Sequence, residues 1–261
     1  MKKLFVIGNK SSESLSPLIF NYWFKKYKIN AKYDFLQPQN KQLNKTVTNT
    51  LKDKNVIGLN ITIPYKVKII KLIKNLNKHA KKINAVNCVI NKKQPTGINT
   101  DWIGYKRSLK GLKIQKSKHI IILGYGGAAQ AIHYSFVYMG YSKITVFNRT
   151  KKLIQNSKNK TYTKQYNTIH KHLPKADLLI NTTPTNPISK KLSKLVRDEA
   201  VVSDIVYKPK ETKFLKSFKN NKRVFGITML LNQAAPCFKV WFGFEPKIDK
   251  KLIDKLDKKI R

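Results

Sequence analysis

Ile120-Ile121-Ile122-Leu123-Gly124-Tyr125-Gly126-Gly127-Ala128-Ala129 is the stretch from which the fold can be read. The run of residues 119–123, largely apolar and bounded by glycine, reads as a short buried strand, and the residues after the glycines read as a helix over 128–139 that Gly140 stops. A strand, a glycine turn and a helix in that order form the context that lifts Gly124-x-Gly126-x-x-Ala129 above a chance pattern. The first glycine permits the tight turn, the second lets a pyrophosphate approach backbone N–H groups, and the small third residue lets the helix pack closely. Phosphates then rest at a helix N-terminus. The alternative is a glycine-rich turn that holds no ligand.

Downstream, residues 144–147 read as the next strand, and Asn148-Arg149-Thr150 follows where an NAD enzyme usually carries an acidic residue for the ribose hydroxyls. Arginine and a hydroxyl suit a 2′-phosphate, with Lys151 or Lys152 as additional charge, so the expected cofactor is NADP. Further buried runs at 176–181, 200–206 and 224–226 imply repeated strand, crossover helix and strand, hence a parallel sheet covered on both faces. Asn181-Thr182-Thr183-Pro184 ends one of these runs and reads either as a ligand contact at a strand end or as a helix cap. Residues 229–242 and 250–260 read as two helices.

Upstream, residues 3–8, 33–36 and 56–61 read as strands. One helix is expected to start near Pro17, and another at Pro64 carrying Val67, Ile69, Ile70 and Ile73. Residues 85–90 read as a strand turning at Pro95-Thr96-Gly97. Tyr22, Trp23, Phe24, Trp241 and Phe242 read as core aromatics, and His170 and His172 as a solvated pair. The expected fold is α/β with two domains: residues 1–101, completed by 233–261, and a doubly wound nucleotide-binding domain over 102–232.

The charge is extreme: 54 Lys and Arg against 13 Asp and Glu gives a formal net +41. Only five of the 54 are arginines, leaving 49 lysines spread along the whole chain. A dedicated nucleic-acid reader relies on clustered arginine for bidentate contacts, so no specific nucleic acid is expected as a partner. No apolar run reaches the ~18–20 residues that span a bilayer, so no membrane partner is expected and a cytoplasmic location is. Cys88 and Cys237 show neither metal nor redox spacing, and no metal site is expected.

Ser14-Leu15-Ser16-Pro17, Asn60-x-Thr62-x-Pro64-x-Lys66, Asn84-Ala85-Val86-Asn87, Asn99-Thr100-Asp101, the glycine loop, Asn148-Arg149-Thr150, Asp204-x-x-Tyr207-x-Pro209 and Met229-Leu230-x-x-Gln233 follow one another in order. As a set they resemble the shikimate dehydrogenase family over about residues 4–240. The resemblance implies NADPH-dependent reduction of 3-dehydroshikimate to shikimate in chorismate and aromatic amino-acid biosynthesis, with the substrate in a cleft between the domains. It makes Lys66 and Asp101 the catalytic pair. Lysine is the proton donor to the reacting oxygen, and the carboxylate orients it and bonds the same region.

Also by resemblance, Ser14 and Ser16 hold the substrate carboxylate, and Thr62, Asn87, Asp101 and Gln233 bond the ring hydroxyls. Tyr207 lies near substrate and nicotinamide. The cofactor falls to Gly124, Tyr125, Gly126, Gly127, Ala128, Asn148, Arg149, Thr150 and Lys152, with Ile205, Gly226 and Met229 at the nicotinamide end. Tyr125, in place of a common alanine, is expected to put bulk beside the pyrophosphate, and Thr228 stands where glycine is common. A monomer or homodimer binding only small molecules is expected. The competing readings are an NAD-using quinate/shikimate dehydrogenase, a methylenetetrahydrofolate dehydrogenase of similar layout and a non-catalytic basic binding protein on the same scaffold.

Overall fold

The computed structural model describes residues 1–39, 42–112, 114–155 and 161–260. The chain divides into two compact units. The first comprises Met1–Asp101 and Gln233–Leu256; the second comprises Trp102–Asn232 together with the chain from Asp257 onward. Each is built on its own sheet. The final turn of the last helix thus groups with the second unit, where the Asp257 carboxylate accepts from Lys210 Nζ at 2.9 Å.

In the first unit β1 (Lys2–Ile7), β2 (Ala31–Leu36) and β3 (Val56–Ile61) run parallel, with β1 between the other two. Beyond β3 come β5 (Cys88–Ile90), β6 (Thr96–Ile98) and the two-residue β4 (Asn75–Leu76), giving the order β2-β1-β3-β5-β6-β4. β5 is antiparallel to both β3 and β6, so this sheet is mixed. A two-residue period assigns β1 to two faces. Ile7 joins Val47, Leu59, Ile61, Ile69 and Val89 in one core.

A second core is aromatic. α1 (Ser16–Lys26) contributes Phe20, Trp23 and Phe24, and α8 (Gly226–Phe242) contributes Phe238. Phe20 stacks on Tyr33 at 4.4 Å between centroids and lies 5.5 Å from Trp23. Side chains of this size stabilise by roughly 1.5–3 kcal/mol each when fully buried. Trp23, Phe24, Trp241 and Phe242 act as packing residues: the Trp241 indole N–H bonds Val89 O at 3.1 Å, and Phe242 lies against Phe238. Gly58 is the residue that lets Trp241 in, since a Cβ there would lie 2.1 Å from its indole nitrogen.

The helix expected at Pro64 is a turn followed by a 3-10 segment, Lys68–Lys71. β-branched residues crowd this stretch and lower its helix propensity, while Ile69 alone among Val67, Ile69 and Ile70 is fully buried.

The second unit has the order β11-β10-β9-β7-β8, all parallel: β7 (Ile120–Leu123), β8 (Ile144–Phe147), β9 (Leu178–Asn181), β10 (Val201–Asp204) and β11 (Lys222–Val224). β7 and β9 are wholly buried, consistent with cores on both faces of the sheet. α5 (Gly127–Tyr138) crosses from β7 to β8 and ends at Gly140, whose φ of +86° suits glycine.

The next crossover corrects the expected repetition. Among the described residues between Phe147 and Leu178 there is no α-helix. Leu153 bridges Tyr162 in antiparallel fashion and two 3-10 segments follow. Threonine, asparagine and tyrosine dominate residues 161–168, and such residues favour extended and turn conformations. Later crossovers carry only single-turn helices, α6 (Lys190–Ser193) and α7 (Lys213–Lys216), each started by a hydroxyl cap from Ser189 or Thr212.

Candidate active site

At the carboxyl ends of β1 and β3 the chain turns sharply. Thr62 N–H bonds Ile7 O at 2.9 Å, and a Cβ on Gly8 would lie 2.3 Å from the Thr62 methyl, so this approach depends on glycine. The following turn carries half-buried Ser14 and buried Ser16, and Ser14 Oγ accepts the Ser16 N–H at 3.2 Å. Ser16 opens α1, where first-turn N–H groups face outward from the helix. These donors suit a carboxylate.

Asp101 begins α4 (Asp101–Ser108) and is 2% exposed. Lys66 Nζ donates to its Oδ2 at 2.7 Å, a part-buried ion pair. Asn87 is the hub of the surrounding network. Its Nδ2, with two hydrogens, lies 2.9 Å from Thr100 Oγ1, 3.0 Å from Asp101 Oδ1 and 3.0 Å from Gln233 Oε1. Its Oδ1 accepts the Thr100 N–H at 2.7 Å. Asn99 fixes the other side by accepting the Asp101 N–H at 3.0 Å while donating to Ala85 O. The structure therefore brings Lys66, Asn87, Asp101 and Gln233 into one cluster.

Beneath it lie Asn60, Thr100, Cys88 and Cys237, none of which the sequence motifs place in the site. Asn60 is a polar residue in a buried strand; its Nδ2 donates to Asn87 O at 2.9 Å and approaches Cys237 Sγ at 3.3 Å, and its Oδ1 accepts from Tyr33 Oη at 2.7 Å. Thr100 Oγ1 reaches Gln233 O and, at 3.0 Å, Cys237 Sγ. Both cysteines are fully buried, and burial pushes the Cys88 thiol up, with the adjacent Cys237 thiol adding to the shift. A buried asparagine in an apolar run was the available signal for Asn60.

In the second unit Gly124 has φ +95°, and a Cβ there would lie 2.7 Å from Thr182 Oγ1. Thr182 itself donates to Leu123 O, and Thr183 bonds Asn181 and Thr185 O. This threonine pair shapes the glycine turn and caps no helix. Gly126 is exposed, nothing lies within 4 Å of where its Cβ would be, and no side chain caps α5. Gly127 and Ala128 complete the opening turn. Space without a side chain in front of uncapped N–H groups fits a pyrophosphate.

Beyond β8 the Asn148 side chain donates to Thr150 O at 2.9 Å and Thr150 Oγ1 at 3.2 Å, setting a turn on which Arg149, Thr150 and Lys152 are exposed. Three hydrogen-bonding or cationic side chains on one turn fit a phosphate monoester. Ile205 is half-buried after β10, and Tyr207 is half-buried in the loop beyond it. Gly226 begins α8 with no room for a side chain, its Cβ position being 2.4 Å from Ile205 O, while Met229 is buried in the same unit.

The pattern described as the shikimate dehydrogenase substrate binding domain matches residues 6–89, and that described as shikimate / quinate 5-dehydrogenase matches residues 107–206. A curated shikimate dehydrogenase (NADP(+)) of Bacillus cytotoxicus is 37% identical, the alignment covering 96% of each protein. The chain belongs to the shikimate dehydrogenase family. The solved shikimate dehydrogenase of Aquifex aeolicus superposes with TM-score 0.85 at 31% identity, covering 98% of this chain and 97% of that one. Shikimate 5-dehydrogenase from Listeria monocytogenes, solved in complex with shikimate and NAD, gives TM-score 0.81 at 27% identity and covers 98% and 96%. The two-domain α/β class inferred from the sequence is thereby established.

For this member of the shikimate dehydrogenase family the Tyr125 expectation needs correcting. Its ring does not crowd the phosphate loop: it is 4% exposed and packs with Ile120, Ile132, Ile154 and Met229. Its hydroxyl accepts the Gln155 N–H at 2.8 Å. An aromatic ring gains from such burial. Thr228, the other departure, donates to Phe225 O at 2.6 Å at the start of α8. Of the two histidines expected to be solvated, His170 is exposed whereas His172 is half-buried and lies 3.1 Å from Lys164 Nζ. Among the described residues no group of three potential metal ligands occurs, and no helix is long and apolar enough to cross a membrane.

Proposed function

We propose that the chain catalyses the reversible, NADPH-dependent reduction of 3-dehydroshikimate to shikimate, with Lys66 and Asp101 as its catalytic residues. The observation that carries the catalytic assignment is the part-buried Lys66–Asp101 pair at 2.7 Å, bonded through Asn87 to Gln233. When bound, NADPH supplies the hydride that reduces the substrate carbonyl carbon. Lys66 Nζ carries the proton that the resulting oxygen requires, and Asp101 holds that nitrogen in place through a charge-assisted bond. In the reverse direction the same nitrogen takes the hydroxyl proton.

Asn87 and Gln233 present amide groups to the ring hydroxyls, and Thr62 adds a hydroxyl. Such a site rejects analogues that lack a hydroxyl, because its own buried polar groups are then left without partners. Ser14 and Ser16 receive the substrate carboxylate without a fixed countercharge, and Tyr207 contributes from the loop after β10. Arg149, Thr150 and Lys152 supply the charge and donors for the 2′-phosphate, and this favours NADP over NAD. Gly124 to Ala128 hold the pyrophosphate, while Ile205, Gly226 and Met229 serve the nicotinamide end.

The test follows reduced nicotinamide by absorbance while shikimate or quinate is oxidised with NADP or NAD. Shikimate-dependent NADP reduction is expected to exceed the other three combinations. Equal turnover of quinate with NAD would instead establish the broader quinate/shikimate enzyme.

A further inference from the structure

We infer that the Tyr125 hydroxyl is a positioning group for recognition of the cofactor 2′-phosphate, acting at a distance through Gln155 and the arm that follows Arg149. The inference rests on the NADP reading above. Tyr125 lies inside the glycine loop, yet its hydroxyl bonds the backbone of Gln155, at the far end of the segment that starts with the Asn148–Thr150 turn. One side chain therefore ties the pyrophosphate loop to the 2′-phosphate turn.

The rest of the arm is held from beneath in the same manner. Thr163, 4% exposed, accepts the Lys152 N–H at 3.0 Å and donates to Thr150 O at 3.3 Å. Its own N–H bonds Lys152 O at 2.8 Å, and the Ile154 N–H bonds Thr161 O at 2.8 Å. Ile154 is buried against the Tyr125 cluster. Arg149, Thr150 and Lys152 thus stand exposed on a backbone whose fixed points are Tyr125, Ile154 and Thr163.

Long exposed cations bind a phosphate strongly only where the backbone beneath them is already ordered, because ordering it on binding subtracts from affinity. Removal of the Tyr125 hydroxyl leaves the Gln155 N–H without its acceptor, which is costly where water does not replace it. The arm then re-seats. Burial raises the Tyr125 phenol, which keeps the hydroxyl neutral across ordinary pH. NADH lacks the 2′-phosphate, so loss of the hydroxyl should discriminate between the two cofactors.

The experiment measures dissociation constants of NADPH, NADH and adenosine 2′-monophosphate on the full chain by fluorescence titration and competition, for wild type, Tyr125→Phe and Thr163→Val. Amide exchange at Gln155 is measured without ligand. In both variants NADPH and adenosine 2′-monophosphate are expected to weaken roughly three- to tenfold and NADH by less than about twofold. Exchange at Gln155 accelerates in Tyr125→Phe. Equal losses for NADPH and NADH, or an unchanged NADPH constant in a folded Tyr125→Phe protein, overturn the inference. Failure of the wild type to prefer NADPH overturns the cofactor reading itself, and this is visible before any variant is compared.

Discussion

Asp101, Asn87 and Gln233 are 2%, 2% and 8% exposed and are joined through the Asn87 amide, whereas Arg149, Thr150 and Lys152 stand on the surface of the other unit. The first arrangement sets geometry through bonded side chains, three acceptors sharing the two Asn87 Nδ2 hydrogens. The second sets it through backbone, with glycines that leave space and a buried layer that fixes a turn. A low-dielectric network gives strong, directional bonds but makes every missing partner costly. Exposed cations tolerate change in stability and transmit it to affinity. Substitutions in the two units should therefore produce different kinds of defect.

The largest expected effect is on turnover. Lys66→Ala should lower kcat by ~10²- to 10⁴-fold with cofactor KM little changed, as is typical when a proton donor is lost; steady-state kinetics at saturating NADPH measure it. A comparable kcat in the variant would remove Lys66 from the chemistry. Next comes stability. Asn87→Ala leaves Thr100, Asp101 and Gln233 short of a donor or acceptor and should cost about 2–4 kcal/mol in urea unfolding, more than any single alanine substitution at Arg149, Thr150 or Lys152.

Arg149→Ala addresses the other half. It should weaken NADPH by about 10- to 100-fold, the range for a charged hydrogen bond to phosphate, with NADH and the unfolding midpoint unaffected. The wild-type KM for NADPH should also rise with salt, because these charges are exposed and screened.

The smallest effect is a pH dependence outside both sites. Burial pushes His133 on α5 down to about 4 from an ordinary 6.5, so the folded state holds it neutral. The unfolded chain binds that proton more readily. The His133 contribution is therefore fully present above pH 6.5 and is lost as pH falls toward about 4, by up to about 3 kcal/mol. His133→Gln should flatten that limb of a pH series of urea midpoints.

The sequence made some elements plain and hid others for physical reasons. β7, the glycine turn and α5 were legible because strand length, glycine spacing and Gly140 all agree. The Pro64 segment misled because its apolar residues have helical spacing while their β-branched shape opposes a helix. Among the described residues between β8 and β9 the expected helix is replaced by 3-10 segments, which a repeated strand–helix pattern does not reveal.

Lys66 and Asp101 emerged from their ordered motifs, since one lysine among 49 carries little information alone. Tyr125 was misread because sequence gives the loop position of a side chain and not its direction. Asn60 is flagged in the sequence only as a polar residue in an apolar run; its partners and those of Thr100 are not legible, because both contact Cys237, 177 and 137 residues away.

Those two sealed thiols also make the Asn87 network its own chemical clock. Cys88 and Cys237 have no exposed surface, so a small alkylating reagent can reach them only in moments when the surrounding structure parts. When closing is faster than alkylation, the labelling rate is the intrinsic thiol rate multiplied by the fraction of time spent open. No engineered probe is needed: two native sulfur atoms beneath the Asn87 and Gln233 amides record how often that part of the protein breathes.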